Sequence, residues 1–598
     1  MKKMIRIGNA GGFWGDDLDA MRRQLQGGPL DYLSIDFLAE ITMSILRKQQ
    51  LRNPSLGYVE DFVEQIRQNA GLIRDTGVRI LTNAGGINPL ECGRKVVQEL
   101  SNLGIQLKVA VVQGDDLLNR LGDLHANGVS FRNMETGEDF GRVKNRVQSA
   151  NAYIGLGPLV KALEAGADIV IAGRVTDTSI TMAPMVYEFG WNPEDWDNIA
   201  AALVAGHIVE CGAQTTGGNF TDWKQVASFH NMGYPVIEMH PDGNFVITKH
   251  PGTGGMVTVD TVREQLVYEM GDPAAYISPD VVADFRTVEL EQEGADRVGV
   301  RGVKGYPSTP FLKVSMAYQD GYASSGSVIV SGPDAKSKAE VFADIFWNRL
   351  QVNFQKRNTA YQGYNSCHQS LVQHHEPNEI LLTFSIYDHD PDHHERFARN
   401  IAPLILSGPP GVAATGGRPR MRSVLTYWPA LIPKSHIHPT VTLLSPEGES
   451  ERMYKLESQT GFEQSVLPSP SVFQTHDDVE IIKNPDEGVK MRLMDICLAR
   501  SGDKGDTANI GLLARNERAY AYIRKYITAG FVKNLFSDIC KGRVIRYEMD
   551  NLQGLNFLLE ESLDGGGTRS LLADPQGKTL AQALLNTEII VPPAFLNL

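Results

Sequence analysis

His207 and Glu210 stand three residues apart in the stretch AGHIVECGAQTTGGNF, with Cys211 and Gln214 next along it. Spacings of three, four and seven place these four side chains along one face of a helix, and such a face would be an acid/base constellation. A histidine titrates near neutrality, and a desolvated glutamate can serve as a general base. Cys211 would be a nucleophile only if its thiolate were stabilised. As one cysteine among apolar neighbours it reads more simply as a small buried residue. A second polar set, ARSGDKGDTANIG, brings Arg500, Asp503, Lys504 and Asp506 into seven residues with two glycines. A plain turn needs glycine and at most one Asx residue, so this run is either a heavily solvated turn or a polar site. Lys504 between two carboxylates suits electrostatic stabilisation of an anion rather than nucleophilic attack.

Three further stretches could bind a substrate. In IAGRVTDTSITMAPM, Arg174, Thr176 and Asp177 follow a strand-like run. The arginine offers a planar fork suited to a carboxylate or phosphate, although Arg174 and Asp177 could equally pair with each other and close the turn. GNAGGFWGD, with Gly11 and Gly12, and TNAGGINP, with Asn83, Gly85 and Gly86, are related glycine-rich turns after strands. Their exposed amides could receive an anion at a following helix start. Neither has the dinucleotide or phosphate-loop pattern, so ordinary strand-to-helix turns remain an equal reading. GPPGVAATGGRPRMR ends in Arg418, Arg420 and Arg422 and is either an acid clamp or a plain connector. The histidine-rich stretches, with His374, His375, Glu376, His389, Asp390, Asp392, His393 and His394, lack HExxH spacing. They read as solvated surface, and no metal site is expected.

The elements that must position these residues have a recognisable order. Over the first 200 residues short apolar strands (MIRIGN, VRILTN, LKVAVVQ, DIVIAG) alternate with amphipathic helices, the pattern of parallel βαβ units. Open parallel sheets bind ligands beyond the carboxyl ends of their strands. Here those ends read GNAGG, TNAGG, VQGDD and AGRVTD, all small or polar. Residues 201–461 mix antiparallel strands with helices. Residues 462–488 are rich in Pro, Ser and charge and read as a linker, and 489–598 show the βαββαβ order of a ferredoxin-like sandwich. The expected fold is therefore α/β: an N-terminal parallel-sheet α/β domain, a mixed α+β middle region and a C-terminal ferredoxin-like sandwich. The core domain would span 1–461, in two lobes of about 1–200 and 201–461.

Bulk properties narrow the function. A formal charge of −14 over 598 residues lacks the basic footprint of a nucleic-acid binder. Five scattered cysteines with no CxxC pair suggest reduced thiols. No signal-like or spanning apolar run is evident, so a cytoplasmic protein with no membrane partner is expected.

Taken in order, GNAGGFWGD, NAGGINP, IAGRVTDTSITMAP, GHIVECGAQTTGG, YEMGDPAAYISPDVVADF, LSGPPGV and ARSGDKGDTANIG resemble the AtuA family of acyclic terpene utilisation proteins, from about residue 4 to 590. That resemblance implies a place in citronellol- or geraniol-type catabolism, which runs through coenzyme A thioesters, and a C-terminal ferredoxin-fold part carrying ARSGDKGD. It transfers no catalytic residue.

Two functions compete. The first is a hydratase or lyase acting on a small carboxylate or acyl-CoA: His207 or Glu210 as base, Arg174 as anchor, and Asp503, Lys504, Asp506 and Arg500 completing the site from the same chain or a neighbouring subunit of a homo-oligomer. Gly11, Gly12, Asn83, Gly85, Gly86, Thr176, Asp177 and Gln214 would line it. No resident cofactor is called for, and coenzyme A would enter, if at all, as part of the substrate. The second is a non-catalytic binding or scaffold subunit of a catabolic complex.

Overall fold

The computed structural model describes residues 2–38, 40–372, 375–445, 448–453, 471–477, 488–593 and 595. The chain divides into two compact units, one of Met1–Ala317, Trp428–Ser471 and Met549–Leu552, the other of Tyr318–Tyr427, Val472–Glu548 and Gln553–Leu598.

The first unit begins β1 (Ile5–Asn9), α1 (Ala20–Gly27), β2 (Tyr32–Ile35), α2 (Glu40–Arg52), α3 (Glu60–Thr76), β3 (Arg79–Thr82), α4 (Pro89–Asn102), β4 (Val109–Gln113) and α5 (Leu121–Ala126). It continues β5 (Val147–Ala152), α6 (Gly157–Glu164), β6 (Ile169–Ala172), α7 (Ser179–Phe189), α8 (Trp196–Val209), β7 (Pro235–Met239) and β8 (Phe245–Lys249). The expected parallel sheet is its centre. β1, β2, β3, β6 and β4 lie side by side in that order, each pair parallel. Antiparallel strands extend it at both edges: β7 and β8 beside β1, and Thr440–Ser445 beside β4. The sheet reaches eleven strands. The sequence-adjacent strands β3 and β4 are not neighbours, because β6 is inserted between them.

Local chemistry explains the layers. In α3 the residues Phe62, Ile66, Ala70 and Ile73 recur at helical spacing and are buried. They face Leu33, Ile35, Ile80, Val109 and Ile171 from the sheet. The helix stops at Gly77, which takes φ +68° and returns its N–H to the Ile73 carbonyl, a left-handed cap that glycine adopts without steric cost. α8 differs. Every residue from Ile199 to Val209 is buried, and a helix apolar on all sides belongs inside a protein. His207 is the one titratable residue within that buried run. The short segment Met549–Leu552 belongs to this unit although it lies far along the chain. Arg263 donates to the Leu552 carbonyl, and Asn551 donates to the carbonyls of Phe285 and Val288 at 2.9 Å each.

In the second unit, helix Ala335–Leu350 packs Phe342 and Phe346 against Phe384 of strand Glu379–Asp388. The C-terminal part is an antiparallel sheet covered by helices, ferredoxin-like in class. Of the span read as a linker, residues 462–470 and 478–487 lie outside the described residues. Phe473–Thr475 form a strand paired with Ile545–Tyr547. GPPGVAATGG also contains a strand, Val412–Thr415, paired with Val330–Ser327, so it is more than a connector.

Two glycine substitutions should move stability in opposite directions. A Cβ on Gly85 would come 2.6 Å from the Ala172 carbonyl oxygen and 2.5 Å from Pro89 Cβ, so Gly85→Ala must push the ends of β3 and β6 apart at a cost of about 1–3 kcal/mol. Gly71, inside α3, has open space where its Cβ would stand, and Gly71→Ala should stabilise by roughly 0.5–1 kcal/mol. Thermal melts of the two variants beside the parent check both signs.

Candidate active site at the strand tips

The insertion of β6 puts its carboxyl end between the ends of β3 and β4. Arg174, two residues past β6, accordingly meets Asp115 from the end of β4. Its backbone N–H donates to Asp115 Oδ2 at 2.9 Å, and Asn151 Nδ2 donates to the same oxygen at 2.8 Å. Its guanidinium is 2% exposed and lies 2.9 Å from the Asp177 carboxylate. Nη1 donates to the Leu38 carbonyl at 2.7 Å, and the group stacks over the Tyr153 ring at 4.1 Å. The internal Arg174–Asp177 pair that the sequence allowed is thus formed.

Asn83, past β3, ties this group to the tip of β2. Its Nδ2 donates to Asp36 Oδ1 at 2.6 Å, and its Oδ1 accepts the Phe37 N–H at 2.9 Å. Asp36 Oδ1 also accepts the Leu38 N–H at 3.0 Å. Burial pushes the Asp36 carboxyl up to about 6; Asn83 and the Arg174 charge oppose the shift, while Glu210 adds to it. Asp115 is pushed up to about 6 as well, again by burial first. At β1, the Gly11 carbonyl accepts the Asp36 N–H at 3.0 Å, and the Gly12 N–H donates to Asp16 at 2.9 Å. A Cβ on Gly12 would lie 2.8 Å from the Glu210 carbonyl oxygen and 2.7 Å from the Cys211 backbone. Glycine is required there by close approach, and that approach seats the end of α8 on the end of β1.

The α8 end carries the acid/base pair. His207 Nδ1 is 3.0 Å from Glu210 Oε1, with His207 1% and Glu210 14% exposed. The imidazole packs edge-on against Tyr276 and Phe285, 5.3 and 5.4 Å between centroids. Burial raises the Tyr276 phenol well above its ordinary value, and the Glu210 and Asp177 charges raise it further. The single helical face expected for His207, Glu210, Cys211 and Gln214 does not persist. α8 ends at Val209, and Gly212 at φ +59° turns the chain into a short 3-10 segment, Gly212–Gln214. His207 and Glu210 keep their i,i+3 pairing; Gln214 sits on the next turn.

Asp36, Asp115, Tyr153 and Tyr276 were not singled out in the sequence. β2 has only four residues and its apolar run was not read as a strand, so Asp36 at its tip went unnoticed. Asp115 lies within VQGDD, a strand end already noted, and could have been found there.

The ARSGDKGD stretch belongs to the second unit and is a β-hairpin, not a loop. Cys497–Lys504 pairs in register with Thr507–Ala514, closing on Gly505 and Asp506 with Gly505 at φ +66°. Arg500 and Ser501 are buried in the strand, and Ser501 Oγ accepts the Ala581 N–H at 3.0 Å. Asp506 Oδ1 accepts the N–H groups of Leu563 and Gly565 at 3.1 and 2.7 Å. Asp503 lies 3.5 Å from Lys578, and Lys504 is exposed at the tip. The histidine-rich stretch also departs from a solvated surface. His394 is 2% exposed, 2.8 Å from Ser324 Oγ and 3.2 Å from the Asp388 carbonyl, while His393 is 3.0 Å from the Asp388 carboxylate. His374 lies outside the described residues. Among the described residues no three His, Cys, Asp or Glu side chains are grouped as metal ligands would be.

Comparison with protein families places this arrangement. The model of the acyclic terpene utilisation family protein AtuA matches residues 5–443. The chain belongs to the AtuA family. A second model, the AtuA ferredoxin-like domain, matches residues 491–590. No curated protein and no solved structure matches the chain. The AtuA match contains the tips of β1 to β8 together with His207 and Glu210. The ferredoxin-like match contains the Arg500–Asp506 hairpin.

The raised Asp36 carboxyl makes a pH prediction. Its folded-state value, about 6, exceeds an ordinary aspartate's value near 4, so protonation favours the fold. The benefit is lost as pH rises through that interval. Asp36→Asn has no such loss. Its stability relative to the parent should climb between about pH 4 and pH 6 by roughly 2–3 kcal/mol, then level off. Melting curves across that range test this, and a difference independent of pH would sink it.

Proposed function

We propose that the chain is an enzyme of acid–base chemistry, a hydratase or lyase acting on a small carboxylate or its coenzyme A thioester. One observation carries the reading. Two carboxyl groups with different surroundings, Asp36 past the tip of β2 and Glu210 at the end of α8, lie within electrostatic reach of each other, and a buried arginine acts on the first. A buried carboxyl group with raised proton affinity near a second, partly exposed acid/base pair suits the addition or removal of water. Glu210, the more exposed partner of His207, would take the proton from the substrate or from water, with His207 fixing its direction. Asp36, which holds a proton up to about pH 6, would supply one to the leaving oxygen. Arg174 would polarise or anchor the acyl group. The family description supports a branched, isoprenoid-type acyl chain as substrate. The catalytic role expected for Asp503, Lys504 and Asp506 gains little support from their bonds, since Asp506 is engaged by backbone amides.

The test is hydration of a branched α,β-unsaturated acyl-CoA, and of the corresponding free acid, by the parent, Glu210→Gln and His207→Ala. Glu210→Gln should lower kcat by about 10²–10⁴-fold with KM and melting temperature little changed. Full turnover in Glu210→Gln would end the assignment. Tight binding of either compound with no turnover in the parent would favour a binding subunit instead.

A further inference from the structure

The stretch from Arg174 to Ser179 has features that the acid–base reading does not use. α7 is eleven residues long and carries no acidic residue in its first turn. Two of its first amides are already engaged, Ser179 N–H by the Thr176 carbonyl at 2.8 Å and Thr181 N–H by the Thr178 carbonyl at 3.0 Å, so what this end offers a ligand is its side chains. Thr178 stands at the N-cap position yet makes no side-chain capping bond. Its Oγ1 has no hydrogen-bond partner among the described residues, although the residue is 1% exposed. A buried hydroxyl without a partner is costly, and threonine at an N-cap ordinarily satisfies its own helix. Thr178 lies against α8 at Gly206, where a Cβ would come 2.9 Å from Thr178 Cβ; Gly206 accepts the Glu210 N–H. Thr178 therefore sits at the α7–α8 crossing, against the residue that precedes His207.

The charges around it point the same way. Two cations flank one ring, with Arg174 at 4.1 Å and Lys313 at 5.0 Å from the Tyr153 centroid. The carboxylate on Arg174 is Asp177, whose side chain is 35% exposed against 2% for the arginine. Asp177 is thus the solvent-facing half of a buried pair.

We infer that the start of α7, with Thr178 and Arg174, is the anchor for an anionic oxygen group of the substrate, its carboxylate or a phosphate, and that Asp177 is an internal stand-in which the ligand displaces. This rests on the reading of the strand tips as a substrate site and names the group that site holds. The bound anion takes the Thr178 hydroxyl and the Arg174 fork. Asp177, released, turns to water at little cost because it is already partly solvated. The arrangement keeps the buried guanidinium paired in both states, as a charge at that depth requires.

Removing the stand-in should therefore harm the free protein and help the ligand. Asp177→Ala is expected to lower the melting temperature, and acetate should restore it where equimolar chloride does not. By calorimetry, 3-methylbutanoate should bind Asp177→Ala about tenfold more tightly than the parent. Thr178→Val should lose at least fivefold in the Asp177→Ala background, and Thr178→Ser should retain the affinity. A parallel titration with inorganic phosphate decides the source: tighter binding and rescue by phosphate rather than by acetate assign the site to a phosphate of the ligand. If Asp177→Ala binds neither anion more tightly than the parent, or if Thr178→Val binds as well as its parent, the anchor is wrong. If the anchor holds while Glu210→Gln turns over normally, only the acid–base reading falls.

Discussion

A guanidinium at the tip of a central strand is the constraint around which the first unit is arranged. Arg174 is almost wholly buried, and an uncompensated charge at that depth would cost several kcal/mol. Its surroundings answer on several sides: a carboxylate three residues on, a carbonyl from the tip of β2, and an aromatic face. Asp115 holds its backbone. Each partner comes from a different segment, so fixing the arginine also fixes the ends of β2, β4 and β6 relative to one another. Asn83 extends the same tie to β3 by bonding both Asp36 and Phe37 at the tip of β2.

Backbone proximity supplies the other half of the construction. The ends of β1 and α8 approach so closely that no side chain fits at Gly12, and β3 and β6 leave none at Gly85. Polar side chains hold the strand tips together laterally, and glycines let the layers touch. The result is a cluster of ionisable groups with low exposure and fixed neighbours, the condition under which carboxyl groups acquire unusual proton affinities.

Much of this was legible because it depends on local pattern. Alternating apolar strands and helices predict the parallel sheet, and NAGG, NAGG and AGRVTD mark three of its tips. The i,i+3 spacing of His207 and Glu210 identifies their pairing. What escaped depends on partners distant in the chain. The short strand β2 offers too few residues for a periodic signal, so Asp36 gave no sign of itself. ARSGDKGD is dense in charge because Ser501 and Asp506 hold backbone amides at Ala581, Leu563 and Gly565, and Asp503 faces Lys578, contacts that no local reading could supply. The glycines suggested a loop, yet strand pairing prevailed, since the opposite strand ANIGLLA is apolar and its alternate residues enter the core of the sandwich. The histidines at 393 and 394 read as surface because their neighbours are acidic; Asp388, which engages His393, is one of those neighbours, whereas Ser324, which engages His394, lies on a strand that only the fold brings near.

Met549–Leu552 belongs to the first unit although nearly all of that unit's chain precedes residue 472. During synthesis, the carbonyls of Phe285 and Val288 and the Arg263 guanidinium must wait for these four residues to leave the ribosome before their bonds can form. By then the strands that flank the segment, Val544–Met549 and Gly554–Leu559, are emerging too. Completion of the first unit is therefore tied to the birth of the second, and a nascent chain halted before residue 549 would carry a large sheet with its last stitch missing.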